Sequence, residues 1–299
     1  MADLYYQKGY SDMTTKIKVS ELFFSCQGEG QYIGVPSVFL RTFGCNFSCS
    51  GFGMARGQMS VERDQVADKI DLYPSYKDLP LVSTGCDSYP SWDPRFKHLS
   101  PMMSITEIVD QIQTLLPNGK FNQDKHLIIT GGEPLLGWQR AYPGLLQEIY
   151  DREMGLSHLT FETNGTQQLD PKFKDILNQY VENNGLEVTF SISAKLPASG
   201  EKWESAILPK IVSDYIEIKG NRSYFKFVVS TDIDVIDAHK AVAEYQSAGV
   251  EIPVYLMPVG GVNSVYELNE RQVADYCRNN GFRFSPRIQV PLYKNEWAT

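Results

Sequence analysis

No apolar run in this sequence approaches the roughly 18–20 residues that a membrane-spanning helix needs, so none of its 299 residues suggests a span. Basic charge is also scarce. Lysine and arginine number 28 against 36 aspartates and glutamates, a net charge of −8. That balance argues against a chain that wraps nucleic acid, because neutralising phosphates takes a basic surface. Histidine is sparse: His98, His126, His158 and His239 are scattered without ligand spacing, and structural or surface roles are expected for all four. The opening stretch, MADLYYQKGYSDMTTK, is polar and has no signal-peptide pattern, so a cytoplasmic chain is expected. What is present is ordinary for a globular protein, with 42% hydrophobic and 21% charged residues.

Five cysteines, Cys26, Cys45, Cys49, Cys86 and Cys277, make an odd number. In a reducing compartment they are not a disulfide framework. A lone cysteine reads first as a small buried hydrophobe. Cys45 and Cys49 differ: they stand four apart in RTFGCNFSCSGFGMARG, a loop that follows an apolar run. That spacing favours metal or cluster ligation. A cluster loop should supply a third thiolate a few residues on, yet Phe52 and Gly53 stand there. Either the site is dead or the third ligand comes from elsewhere.

Short β-like runs alternate with helix-like stretches along the chain. VPSVFLRTF (35–43) reads as a strand. Residues 104–117 read as a helix, with Ser104 and Glu107 as a capping box and Ile105, Ile108, Ile112 and Leu115 on one face. HLIITGGEP, LTFETNGT, EVTFSISAK, YFKFVVS and EIPVYLMPVGG read as strands with turns, separated by helices ending near Gly185, Gly249 and Gly281. FRFSPRIQV reads as the closing strand. Such alternation, with continuous apolar strands, implies parallel β/α units. About six units suit an α/β fold of the open or partial barrel type, with chemistry at the C-terminal ends of the strands. GCNFSC, TGGEP, ETNGT, SAK and MPVGG all follow strand-like runs and should converge. One domain over 1–299 is expected, interrupted by insertions or lids at about 50–85 and 196–215.

In TGGEP, two glycines at a strand end let backbone approach a ligand closely, and Glu133 could accept a hydrogen bond from an ammonium group. Alternatively the motif is a tight turn whose Pro134 opens a helix. Beside the cysteines it suggests more. A [4Fe–4S] cluster held by three thiolates leaves one iron open, which the amino and carboxylate groups of S-adenosylmethionine can chelate. The sequence therefore resembles the radical S-adenosylmethionine enzymes. Within them it resembles the 7-carboxy-7-deazaguanine synthase family over most of the chain, from about Val19 onward. ELFFSCQGEGQYIGVPSVFLRTFGCNFSC looks like the family's opening, and ITGGEPLL, FETNGT, the Ser-x-Lys of SISAK, FKFVV and YLMPVGG follow in the family's order.

The resemblance implies a partial (β/α)6-type barrel of the radical S-adenosylmethionine kind, open or modified, with an insertion in the cluster loop. It implies ligation of a [4Fe–4S] cluster by Cys45, Cys49 and Cys86, the last from GCDSY, with residues 50–85 looped out; lengthening a loop adds only slowly to closure cost. Ser88 takes the place of a threonine that binds Mg²⁺, and its hydroxyl is still the oxygen ligand that this cation prefers. Gly132, Glu133, Ser193, Ala194, Lys195 and Met257, Pro258, Val259 and Gly260 would contact S-adenosylmethionine. Cys26, Gln27, Gly28, Glu29, Arg41 and Thr130 would contact the substrate, Arg41 through a carboxylate. Cys277 reads as core. The implied reaction converts 6-carboxy-5,6,7,8-tetrahydropterin to 7-carboxy-7-deazaguanine with loss of ammonia. A homodimer and an electron donor such as flavodoxin are implied as partners, with no nucleic acid and no membrane. Two alternatives remain: another radical enzyme on the same frame, such as a glycyl-radical activase, or, given the long loop before Cys86 and the departures at Ala194, Met257 and Tyr293, a non-catalytic protein with a degenerate cluster loop.

Overall fold

The computed structural model describes residues 15–122 and 124–299; the polar opening stretch lies mostly outside them. Nine strands form one sheet: β1 (Lys16–Cys26), β2 (Pro36–Thr42), β3 (Met102–Ser104), β4 (His126–Gly131), β5 (His158–Thr163), β6 (Glu187–Ile192), β7 (Tyr224–Val229), β8 (Val254–Pro258) and β9 (Arg283–Phe284). Their order is β3-β1-β2-β4-β5-β6-β7-β8-β9. From β2 to β9 every neighbouring pair is parallel, while β1 runs antiparallel to both β2 and β3. The architecture is thus α/β with a mostly parallel sheet that stays open between β3 and β9.

The helices are α1 (Glu62–Ala67), α2 (Ile105–Leu115), α3 (Tyr142–Asp151), α4 (Pro171–Asn184), α5 (Trp203–Ala206), α6 (Pro209–Ile216), α7 (Asp232–Ser247), α8 (Asn263–Asn280) and α9 (Gln289–Tyr293). Local chemistry sets their ends. Ser104 and Glu107 close a capping box on α2, Thr231 and Asp234 one on α7, and Gly185 ends α4 at a φ of +67°. The main core joins strand residues such as Val38, Ile129, Phe161, Phe190 and Phe227 to the inner faces of α2, α3, α4, α6 and α7. Among the described residues no helix is long and apolar enough to cross a membrane.

Three elements differ from the sequence expectation. β1 escaped notice because Glu21, buried at 8% exposure, interrupts its apolar pattern; across the ladder it faces Arg41. Residues 196–215, expected as an insertion or lid, carry α5 and α6 on the crossover from β6 to β7, and Ile207, Val212 and Tyr215 belong to the main core. FRFSPRIQV is strand only at Arg283–Phe284; Pro286 has no N–H to continue a ladder, and Gln289 begins α9. The excursion after Cys49 contributes to a core of its own. Val66, Ala67, Leu79 and Val82 form a second small core with Tyr89 and Phe96, against which Trp297 packs.

The histidines are less scattered than they read. His126 and His158 open adjacent strands, and their rings stack at 4.3 Å. Burial, then His158, pushes the His126 pKa down from 6.5 to about 4. Between those values the unfolded chain binds the proton and the folded chain does not, so stability falls as pH drops through that window, by up to about 3 kcal/mol. A His126→Phe variant should therefore show a flatter dependence of urea midpoint on pH between 6.5 and 4. An unchanged slope would place the acid sensitivity elsewhere.

Candidate active site

One cavity gathers all five motifs that follow strands. Its lining takes Cys45 and Cys49 after β2, Gly131 and Gly132 at the end of β4, Thr163 and Asn164 at the end of β5, Ser193 and Lys195 after β6, and Met257–Gly261 at the end of β8. This much follows the C-terminal-end rule. The QGEG loop does not. Cys26 pairs with Pro36, the first residue of β2, so the loop enters from the opposite end of the parallel strands. Tyr32 there donates to Glu187, the first residue of β6. From below, Glu29 projects into the cavity floor.

The cysteine loop is held from several sides. Gly44 N–H donates to Ser91 O at 2.8 Å, and Gly44 O accepts from Glu133 N at 2.7 Å. Asn46 bonds both Asn164 and Thr166 of the ETNGT turn. The Glu201 carboxylate accepts from Ser48 N and Cys49 N, each at 2.8 Å, and steadies Cys49 at a φ of +48°. Gly132 cannot carry a side chain here: a Cβ would lie 2.5 Å from Gly44 O.

Cys86 joins Cys45 and Cys49. The three thiols share a patch with Phe47, Phe52 and Ala206, and none forms a disulfide. The excursion returns because its neck is bonded shut. Gly85 N–H donates to Phe52 O at 2.7 Å, Ser60 N–H to Ser50 O at 2.7 Å, and Glu62 accepts from Ser83 and Thr84. Phe52 and Gly53 thus form the hinge of the detour. Burial pushes the Cys45 thiol up to about 12 and those of Cys49 and Cys86 upward as well. Ligation would displace those protons. Among the described residues no three acidic, histidine or cysteine side chains close on a single-ion site. A cubane binds one thiolate per iron, so it needs thiols that converge without touching. Three thiols in one buried patch would supply three such ligands.

Arg41 presents a half-used guanidinium. Nε donates to Glu21 Oε2 at 2.7 Å, while the two terminal nitrogens have no hydrogen-bond partner among the described residues. Burial opposes its charge, but Glu21, Tyr76 and Asp87 together hold the group protonated. Arg41 lines the cavity together with Thr130, Asp87 and Ser88. Lys195 donates to Ser193 Oγ at 3.0 Å.

The floor is a chain of buried charges that motif reading missed. Lys226 of β7, 3% exposed in its side chain, donates to Glu29 at 2.7 Å and to Glu162 at 2.8 Å. Arg287 donates to Glu29 at 2.9 Å and to Asp87 at 2.5 Å, and also bonds Gly260 O. Gln289 adds a donor to Glu29 at 2.8 Å, and Gln27 one to Glu162 at 3.0 Å. Burial would raise the Glu29 pKa, but Lys226 and Arg287 hold it well below the usual carboxylate range. The signal was present in FKFVV: a lysine inside a buried strand needs buried carboxylates. Gly28 packs against the same segment, where a Cβ would collide with Gln289 Oε1.

Two expected contacts fail. Glu133 is fully buried and does not line the cavity; its carboxylate accepts from Leu135 N, Thr163 Oγ1 and Asn164 N. It ties two strand ends together, and only Gly132 beside it faces the cavity. Ala194 is 2% exposed and points into the core between two lining neighbours. Cys26, Gln27, Gly28, Glu29, Arg41, Thr130, Ser193, Lys195 and Met257–Gly260 all line the cavity. Cys277 lies in α8 in the main core, as expected.

No family model matches the chain. Curated proteins do. The 7-carboxy-7-deazaguanine synthase of Halobacterium salinarum is 28% identical over 295 residues, covering 93% of this chain and 91% of that protein. That of Pyrobaculum aerophilum is 27% identical over 285 residues, covering 94% and 97%. The enzyme of the same name from Rhodopirellula baltica is 25% identical, covering 95% and 90%. Among solved structures, QueE from Escherichia coli shares the fold with a TM-score of 0.51, at 18% identity, over 91% of this chain and 93% of that one. Relatives of that one name thus match the chain almost end to end, and the open, mostly parallel α/β sheet is shared with QueE from Escherichia coli.

Proposed function

We propose that this chain is a 7-carboxy-7-deazaguanine synthase, a radical S-adenosylmethionine lyase that takes 6-carboxy-5,6,7,8-tetrahydropterin and releases ammonia. The observation that carries the reading is a single cavity with three converging thiols at one end and the unpaired edge of Arg41 beside them. Cys45, Cys49 and Cys86 would hold a [4Fe–4S] cluster, and S-adenosylmethionine would lie along Gly132, Ser193, Lys195 and Met257–Gly260. When bound, cluster and S-adenosylmethionine supply the one-electron chemistry; the protein supplies orientation and electrostatics.

Arg41 would grip the substrate carboxylate with its two free nitrogens, and Ser88 would give Mg²⁺ an oxygen beside it. Thr130 would bond the substrate, with Cys26, Gln27 and Gly28 around it. Glu29 would read the pterin edge. Both of its oxygens already accept from Lys226, Arg287 or Gln289, which fixes the carboxylate and leaves it limited capacity for a further donor. A homodimer, a flavodoxin-like electron donor and one domain over 1–299 complete the reading.

The test is anaerobic turnover of the carboxypterin with S-adenosylmethionine and Mg²⁺ by the reconstituted protein. Deazaguanine product is expected, and an intact cluster without product would overturn the substrate assignment. Arg41→Lys keeps the charge but loses the planar fork. It should raise KM for the carboxypterin about 10- to 100-fold, the equivalent of a charge-assisted hydrogen bond, without changing iron content. An unchanged KM would remove Arg41 from the substrate site.

A further inference from the structure

The thiol of Cys86 has a second neighbour. The indole Nε1 of Trp92 donates to Cys86 Sγ at 3.3 Å. The chain has four tryptophans, and the other three donate to oxygen: Trp138 to Phe43 O, Trp203 to Glu244 and Trp297 to Leu79 O. Sulfur is a weaker acceptor than any of these, so only Trp92 aims its donor at a thiol. The ring is held there from outside. Arg63 of α1 lies over its face at 5.0 Å and is itself fixed by Asp93 at 3.2 Å. Trp92 also packs against the small core of the excursion. Ser88 Oγ, 3.5 Å from the same sulfur, is the weaker neighbour.

We propose that Trp92 is a positioning residue for the iron–sulfur site: its N–H fixes the Cys86 sulfur and raises the reduction potential of the cluster, and Arg63 of the excursion holds the indole in place. The inference rests on ligation by Cys45, Cys49 and Cys86. A donor to a ligand sulfur withdraws negative charge from it. The reduced cluster, which carries one more electron, gains most from that. The excursion then does more than carry Cys86 back to the site: it supplies the group that braces the Cys86 donor.

The experiment compares reconstituted wild type, Trp92→Phe and Arg63→Met under anaerobic conditions. Phenylalanine keeps an aromatic ring and removes the donor. Iron content should stay at about four per chain. The equilibrium constant for one-electron reduction, from an EPR-monitored redox titration, should fall about tenfold in Trp92→Phe, about 59 mV. Arg63→Met should move it less, in the same direction. A fully loaded Trp92→Phe protein at the wild-type potential overturns the proposal. Wild type carrying ¹⁵N in its indoles offers a measurement that no variant has to survive: the reduced cluster should show coupling to one indole nitrogen, and its absence overturns the proposal even if Trp92→Phe fails to take up iron. If wild type itself binds no iron, the ligand assignment fails first and this inference falls with it.

Discussion

Replacing Cys86 with alanine is expected to abolish iron binding, from about four atoms per chain to near none after anaerobic reconstitution. Two thiolates remain in Cys45 and Cys49, too few for a cubane. No described side chain stands ready as a substitute: the Trp92 N–H beside the lost sulfur is a donor only, and the Ser88 hydroxyl oxygen is a harder ligand than iron–sulfur clusters use. The fold should survive, because the neck of the excursion closes through Phe52, Ser60, Glu62 and Thr84 rather than through the thiol. Cys277→Ala provides the control. That thiol sits in the main core, bonded to Arg283 O and away from the cavity, so its loss should leave iron and sulfide unchanged. Chemical analysis of both elements reads the result, and a Cys86→Ala protein that retains its cluster would move the third ligand elsewhere.

Lys226→Met should destabilise the apo protein by about 3–5 kcal/mol, the usual penalty for removing one partner of a buried ion pair. That is a large share of the roughly 5–15 kcal/mol that holds a domain together. Methionine fills a similar shape but leaves Glu29 and Glu162 facing each other across the floor. Arg287 and Gln289 still serve Glu29, and Gln27 and Ser191 still serve Glu162, so the excess is charge rather than missing hydrogen bonds. The sign with pH follows. Glu29 is held below its ordinary value near 4.5 in the wild type, so its contribution is present above that pH and lost as pH falls below it. Without Lys226, Glu29 takes up a proton more readily, and the gap between variant and wild type should narrow in acid. Denaturant midpoints at neutral and acidic pH measure both effects. A loss under about 1 kcal/mol, the scale of an exposed pair, would mean the floor is solvated.

Much of this site could be read before the fold was known, and the reason is local. GCNFSC, TGGEP, ETNGT, SAK and MPVGG each follow a strand, and a parallel sheet brings strand ends together whatever else the chain does. Cys86 was reachable only through resemblance, because nothing in its own surroundings links it to residues so far upstream. Lys226 and Arg287 were passed over since no ligand-binding motif marks either, and only the folded sheet shows that both reach Glu29. Glu133 failed for the opposite reason: its place in a ligand-binding motif suggested a contact, while Thr163 and Asn164 claim its carboxylate.

The floor of the cavity also sets the order in which the site can be completed. The three thiols lie between positions 45 and 86, and the neck that gathers them is short-range. Glu29, by contrast, reaches Arg287 across 258 positions and Gln289 across 260. Contacts of such sequence separation form late and slow folding. The parts of the cavity therefore mature on different clocks: the neck that returns Cys86 closes within a local stretch of chain, while the loop of Cys45 and Cys49 waits for Glu201 and the charged base for the whole sheet to close.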